Sequence, residues 1–390
     1  MKIKGFRAFA ATIAVLFGLS NGQVMGQSNF QYLISDQEAA QEAAPAPAAE
    51  ADEAVADVDA GVASNEIKFG GWLQGGYHTY NTGMFNNRDN EFNLNQAYVY
   101  AEKAANPDAG VFGMGFRMDY VYGTDGPDTQ AFFGPPTSWD NTWDNGGFYG
   151  HAIPQLYGEV AMGDVSVKVG KFYTIVGYET VTAPNNFFYS HAYTMYNSEP
   201  FTHTGVLATM DMGDVTLYNG WTTGWDAGFG KSVPGGSSYL GGATFSFGDC
   251  GSLTGTTTLG RLGAGSVEDG SSYSIVLDLN LTDRMNFVLQ HDNVHNPAVN
   301  QSYGVNGYLF YELSESVSLG TRIEWWNTHL AGAATGASDL YNVTHGMNIK
   351  LTDNFMIRPE VRWDRDHDSI LIDPADDQRI GFGMDWIWTY

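Results

Sequence analysis

From Ile67 to Tyr390 the chain repeats one unit: an alternating apolar/polar run, a short polar turn, a second run, then a longer polar loop. The short turns resemble one another, as in Met162-Gly163-Asp164, Met212-Gly213-Asp214 and Gly248-Asp249, then Leu281-Thr282-Asp283, Leu313-Ser314-Glu315 and Leu351-Thr352-Asp353. Each is a tight antiparallel hairpin by its residues. The connection 104–109 is slightly longer but compact. The runs so joined are 67–80, 92–103, 110–122, 153–161, 165–175, 203–211, 215–222, 239–248, 252–261, 271–281, 284–292, 303–313, 317–326, 342–351, 354–365 and 379–390. They number sixteen, linked by seven short and eight long connections in strict alternation. The runs at 153–161, 203–211 and 215–222 are weak, so fourteen and eighteen stay open.

Many runs have ten to twelve residues, near the ~9–11 that a tilted strand needs to cross a bilayer and longer than the ~5–6 of soluble strands. Their polar faces carry mixed charge at mid-strand, as in Arg117 with Asp119, Arg322 with Glu324, and Arg358, Glu360, Arg362 and Asp364, with Lys350 on the polar face of its run. A water-filled interior keeps such groups hydrated while lipid surrounds the wall; the solvated face of a soluble sheet is the competing account. The reading is an all-β, closed antiparallel transmembrane barrel, short turns at one end and long loops at the other. Closure is required because an open edge in hydrocarbon leaves amides and carbonyls unpaired. Pro359 removes one donor from the ladder, and a local bulge is expected there.

The last run closes the case. Ile380, Phe382, Met384, Trp386, Trp388 and Tyr390 share one face, and Arg379, Gly381, Gly383, Asp385 and Thr389 most of the other. An aromatic C-terminal strand of this kind resembles the assembly signal of bacterial outer-membrane proteins.

Eighteen Lys+Arg against 44 Asp+Glu give a net charge of −26, which argues against nucleic acid as a partner. Lys2, Lys4 and Arg7 precede an apolar run, Ala8 to Leu19, with short residues around Val24 to Gly26. That is the pattern of a cleaved secretion signal over 1–26, implying export by the general secretion route. Residues 27–64 are rich in Ala, Pro and acid and read as a disordered acidic tether; 65–390 is the barrel. Removing the three basic residues of the signal and the eight acidic residues of the tether leaves 15 basic and 36 acidic groups, a net of −21. Acid bordering the lumen would favour cations.

The loop 176–202 collects Phe187, Phe188, Tyr189, Tyr193 and Tyr196 beside Glu179, Asn185 and Asn186. Exposed loops seldom gather so many aromatics unpacked, so it either folds inward and narrows the pore or forms a self-packed cap at the rim. The loop 125–150, with Pro135-Pro136, Trp139 and Trp143, admits the same two readings. Catalysis finds no support: no nucleophile lies beside a recognisable base. His291 and His295 have helical ligand spacing in a region that reads as strand, so no metal site is assigned. The acidic group Asp364, Asp366, Asp368, Asp373, Asp376 and Asp377 reads as solvated rim charge. Cys250, the single cysteine, sits in a turn.

The span Phe69 to Tyr390 is similar to the putative β-barrel porin-2, OmpL-like family through Gly170-Lys-Phe172, Gly177-Tyr-Glu179, Pro184-Asn-Asn-Phe187, Tyr189-Ser190, Pro200, His203 and Gly205. The resemblance implies a bacterial outer-membrane channel without cofactor or catalytic residues. The expected activity is passage of small hydrophilic solutes or ions, and the expected partners are outer-membrane lipid and the assembly machinery. A homotrimer is the candidate assembly, and a loop-plugged barrel with a structural, adhesion or binding role is the alternative.

Overall fold

The computed structural model describes residues 66–390 except 84, 109–110, 132–138, 141–147, 230–235, 263–268, 297–299, 331–336 and 368–376. The signal and tether expected over 1–64, Trp143, and Asp368, Asp373 and Asp376 lie outside the described residues.

Seventeen strand segments form one sheet. Two of them, Gly150–Ala152 and Leu156–Met162, pair with the same neighbour and make one broken strand, leaving sixteen. In chain order these are β1 Lys68–His78, β2 Phe92–Lys103, β3 Gly113–Gly123, the broken β4, β5 Val165–Tyr173, β6 Thr202–Asp211, β7 Val215–Thr222 and β8 Ser237–Ser246. There follow β9 Gly251–Arg261, β10 Asp269–Thr282, β11 Met285–Asn296, β12 Asn300–Ser314, β13 Val317–Leu330, β14 Ala337–Thr352, β15 Phe355–Asp366 and β16 Gln378–Thr389. Every consecutive pair is antiparallel, and β16 closes on β1 with Leu73 opposite Trp388 and Tyr77 opposite Met384. All sixteen runs read from the sequence are present, so the start of β1, the end of β16 and the seven short turns share one end of the barrel and the eight long loops the other.

β4 is interrupted where Pro154 stands, a residue with no N–H for the ladder. The gap is used: Gln155, buried, donates through Nε2 to Asp119 Oδ2 at 2.9 Å and accepts from the Tyr173 N–H. Pro359 behaves differently from the expected bulge. The β14–β15 register is the same on both sides of it, with Gly346 opposite Glu360 and Ile349 opposite Ile357. Two pairs are missing from the ladder and no residue is inserted. The extra residue lies instead in β2, where the register with β1 shifts at Gln74/Gly75 and Asn95 and Gln96 are both buried.

The two faces of the wall invert the pattern of a soluble protein. The inward set of β15 (Arg358, Glu360, Arg362, Asp364) is 0–3% exposed, while Val361 of the outward set is 52% exposed. Outward-facing Ile323, Leu309, Leu289, Phe382 and Met384 are likewise exposed apolar side chains. An apolar belt of this extent around a polar interior is the arrangement that hydrocarbon stabilises and water does not. No described helix is long and apolar enough to cross a membrane, so any crossing is made by strands.

Candidate functional site: the loop between β5 and β6

The segment between β5 and β6 does not stand above the rim. It carries a 3-10 turn, Ala183–Asn185, and a short helix, α1, Tyr193–Ser198. Most of its side chains are buried, including Val181 at 0%, Phe188 at 4% and Tyr193 at 2%. The residues that bury it are inward-facing positions of the far wall.

Arg322 of β13 donates through Nη1 to Glu179 Oε1 and to the Ser190 carbonyl, both at 2.7 Å, and through Nη2 to the His191 carbonyl. Two strands away, Arg358 donates through Nη1 to the carbonyls of Ala183 and Asn186 and through Nη2 to Asp385. Arg362 donates to the His191 carbonyl at 2.6 Å and pairs with Asp364. The wall acids take the loop's donors: Glu324 accepts from the Tyr193 and Thr194 N–H groups at 2.9 and 2.7 Å. Glu360 accepts from the Tyr189 and Ser190 N–H groups and from the Tyr80 hydroxyl. An irregular backbone deep in a barrel has no ladder to join, and alternating Arg and Glu on β13 and β15 supply the missing acceptors and donors.

Apolar contacts reinforce this grip. Phe188 packs with Val276, Val288, Tyr308 and Phe310, and Phe187 lies 4.8 Å from the Phe310 ring. Tyr193 stacks on Trp326. The wall makes room with glycine: a Cβ on Gly320 would sit 2.3 Å from the Phe187 ring, and one on Gly304 2.3 Å from the Thr194 hydroxyl. On the opposite side, the β1–β2 loop inserts Phe85 among Val181, Ala192, Met195 and Phe201, with Tyr196 at the edge. The bulge in β2 completes the cradle. Gln96 donates through Nε2 to the Val181 carbonyl and accepts from the Ala183 N–H, and Asn95 accepts from the Tyr189 hydroxyl.

Glu179 is the acid that the loop itself contributes. Burial pushes its carboxyl up, but Arg322 at 2.7 Å and His191 outweigh that and hold it down at about 2. The buried phenols of Tyr178, Tyr189 and Tyr193 are pushed up, chiefly by burial.

The sequence-selected residues therefore divide. Arg322, Glu324, Arg358, Glu360 and Arg362 meet the loop residues Glu179, Asn186, Tyr189 and Tyr193 or their immediate neighbours, and Asp364 backs Arg362 on the wall. Arg117 and Asp119 form a separate group nearer the short-turn end, where Arg117 bridges Asp119 and Glu102 at 2.6 Å each. Lys350 is exposed at the end of β14 and Asn185 is exposed on the loop, and neither joins the contacts above. The acidic rim group is corrected in part: Asp364 and Asp366 are fully buried, and Asp364 is paired with Arg362 and Arg379 because it faces inward on β15. Asp377 pairs with Arg365 at 3.4 Å. His291 and His295 lie on the outward face of β11, paired opposite Ile275 and Ser271. Among the described residues no group of three or more His, Cys, Asp or Glu could hold a metal ion. The amides Asn95 and Gln96 and the aromatic Phe85 were not legible as site residues. A polar residue on an inward face is ordinary, and only the bulge makes Asn95 and Gln96 point the same way.

Comparison with known proteins places this geometry. No curated protein sequence matches the chain. Among solved structures, Salmonella typhi OmpF in complex with daunomycin superposes with a TM-score of 0.60 at 10% identity, covering 84% of this chain and 98% of that one. A point-mutant porin of Rh. blastica gives 0.54 at 13% identity, with 83% and 100% covered. The trimer form of Vibrio cholerae OmpT gives 0.53 at 11%, with 83% and 99% covered. At these identities the likeness is one of fold. The profile of a single family spans residues 66–389, and with it the fold has a lineage: the chain belongs to the family described as Putative beta-barrel porin-2, OmpL-like, non-catalytic barrels of the bacterial outer membrane.

Proposed function

We propose that this outer-membrane barrel is a constricted diffusion channel that passes ions and small hydrophilic solutes, with the β5–β6 loop setting the bore. The observation that carries the reading is the clamp of loop backbone between Arg322 and Glu324 on β13 and Arg358 and Glu360 on β15. Arg117, Asp119 and Lys350 then belong to the wider mouth at the short-turn end. The net charge of −21 left to the barrel, 15 basic against 36 acidic groups, supports a preference for cations. The outward row of four aromatics, Phe382, Trp386, Trp388 and Tyr390, with Met384 among them, supports recognition by the assembly machinery, and the trimeric OmpT supports a homotrimer.

Full burial of Phe188, Tyr189 and Tyr193 favours one second reading, a lumen closed outright by the loop, with a structural or adhesive role. Single-channel recording separates the two. Discrete steps with a reversal potential on the cation side in a salt gradient are expected. Folded protein without steps, and steps of porin size only after deletion of 184–196, would establish the plug.

A further inference from the structure

Most buried acids among the described residues of this interior have a counter-charge or backbone donors. Glu179 has Arg322, Asp385 has Arg358, Asp364 has Arg362 and Arg379, and Glu324 and Glu360 accept backbone N–H groups. Glu199 and Asp292 do not. Glu199, 1% exposed, lies where the loop returns to the wall, and its carboxyl faces that of Asp292 on β11, 0% exposed, within hydrogen-bonding range. One amide, Gln290 Nε2, donates to both, at 2.5 Å to Glu199 Oε1. Glu199 Oε2 and Asp292 Oδ1 accept no N–H, and the buried hydroxyl of Ser274, the cross-strand neighbour, faces Asp292. The carboxyl is also wedged against the start of the loop, since a Cβ on Gly177 would lie 1.8 Å from Glu199 Oε2. Gly177 and Glu199 thus form the neck through which the loop enters and leaves.

Two carboxylates in contact, out of water and with no cation, cannot both stay ionised. We propose that Glu199 and Asp292 share one proton, and that this proton is the latch that keeps the neck of the loop closed against β11. Burial and the facing Asp292 push the Glu199 carboxyl well above the ordinary carboxylate range. The acids Glu179 within the loop and Glu324 on β13 add to the effect, the Gln290 amide and the Ser274 hydroxyl on β10 oppose it, and Tyr308 on β12 brings no cation. For an acid whose folded value is raised, the stabilisation is complete at low pH and is lost as pH rises through that value. Alkaline conditions should therefore free the neck, the proton leaving to solvent and two anions repelling across it.

The test compares full-length protein with Glu199→Gln, whose amide can donate to Asp292 and accept from Gln290 as the protonated acid does. Hydrogen exchange across 198–204 is read at about pH 6 and about pH 10, each variant against wild type at the same pH so that intrinsic rates cancel. Wild type should exchange like the variant at the lower pH and on the order of tenfold faster at the higher. Asp292→Asn should flatten the response in the same way, which covers failure of the first variant to fold. Equal exchange of wild type and both variants at both pH values would overturn the latch. So would a wild-type response that calcium ions suppress and chelator restores, because a bound cation would then hold the pair. None of these readouts needs the barrel to conduct, so a closed barrel would sink the channel reading and leave this one standing.

Discussion

Replacing Arg322 by Met tests whether the loop is held by charge or merely by shape. Met keeps the length of the stem and removes every donor, so the guanidinium bonds to Glu179, Ser190, His191, Asn342 and Thr344 go together. Glu179, 6% exposed, is left with the Ala192 N–H, the Tyr308 hydroxyl and the His191 ring as its neighbours. The cost can be worked from its carboxyl. Arg322, His191 and the Ala192 N–H together, against burial, lower its value from 4.5 to about 2, with Arg322 the largest of the lowering causes, a net of about 3 kcal/mol at 1.36 kcal/mol per unit. Breaking a buried pair from one side costs about 3–5 kcal/mol in general, which agrees. Because the folded value is depressed, this stabilisation is present above the ordinary carboxylate range and is lost as pH falls toward about 2. The assay is a double-mutant cycle with Glu179→Gln, reading exchange protection of 179–194 in folded, heat-modifiable protein. Arg322→Met alone should lower protection by about 3 kcal/mol, and the double variant should recover part of it. A coupling under about 0.5 kcal/mol, or protection of the wild type unchanged down to the lowest pH at which the barrel stays folded, would refute the argument.

Two further outcomes follow from the outward face. Ile323, 59% exposed between Gly307 and Val343 on neighbouring strands, should cost about 2–4 kcal/mol when changed to Arg if it faces mid-bilayer, measured by urea unfolding in lipid vesicles. The same substitution at an exposed turn residue such as Asp283 should cost under about 1 kcal/mol. Trp388→Asn with removal of Tyr390 takes two aromatics from the closing strand, where Trp388 faces Leu73. Inserted protein in cells should fall several-fold, scored as the heat-modifiable fraction. Unchanged insertion would separate this strand from assembly.

The wall was legible in the sequence because a barrel strand writes its environment in period two. In β14 and β15 the inward and outward residues could be assigned by alternation alone, and two of the local disturbances of the wall involve proline. Pro154 breaks β4, which is why that run looked weak, while Pro359 leaves its register intact because the strand on its other side pairs without interruption, Pro359 lying opposite Met384. The interior was legible only by halves. Mid-strand Arg and Glu announce an aqueous or polar lumen, but their partners are backbone groups of a loop more than a hundred residues away, and a backbone carbonyl has no residue signature. The aromatic content of that loop pointed inward correctly as chemistry, yet the wall glycines that admit it, Gly304 and Gly320, look like any other glycine in an alternating run. The β2 bulge is invisible for a related reason: it is set by a register slip against β1, not by a turn-forming pair.

The clamp also fixes an order of events. The loop is made early in the chain, while the groups that seize it come late: Glu179 waits for Arg322, 143 residues on, and Ala183 for Arg358, 175 residues on. Closing contacts over such separations costs loop entropy that short hairpins do not. β1 to β7 can therefore pair as hairpins with the loop unsecured, and the loop can lock only once β13 and β15 have been delivered beside it. Its capture is a late step of assembly, and protection of Ser190 should follow the hairpins and accompany the joining of β16 to β1.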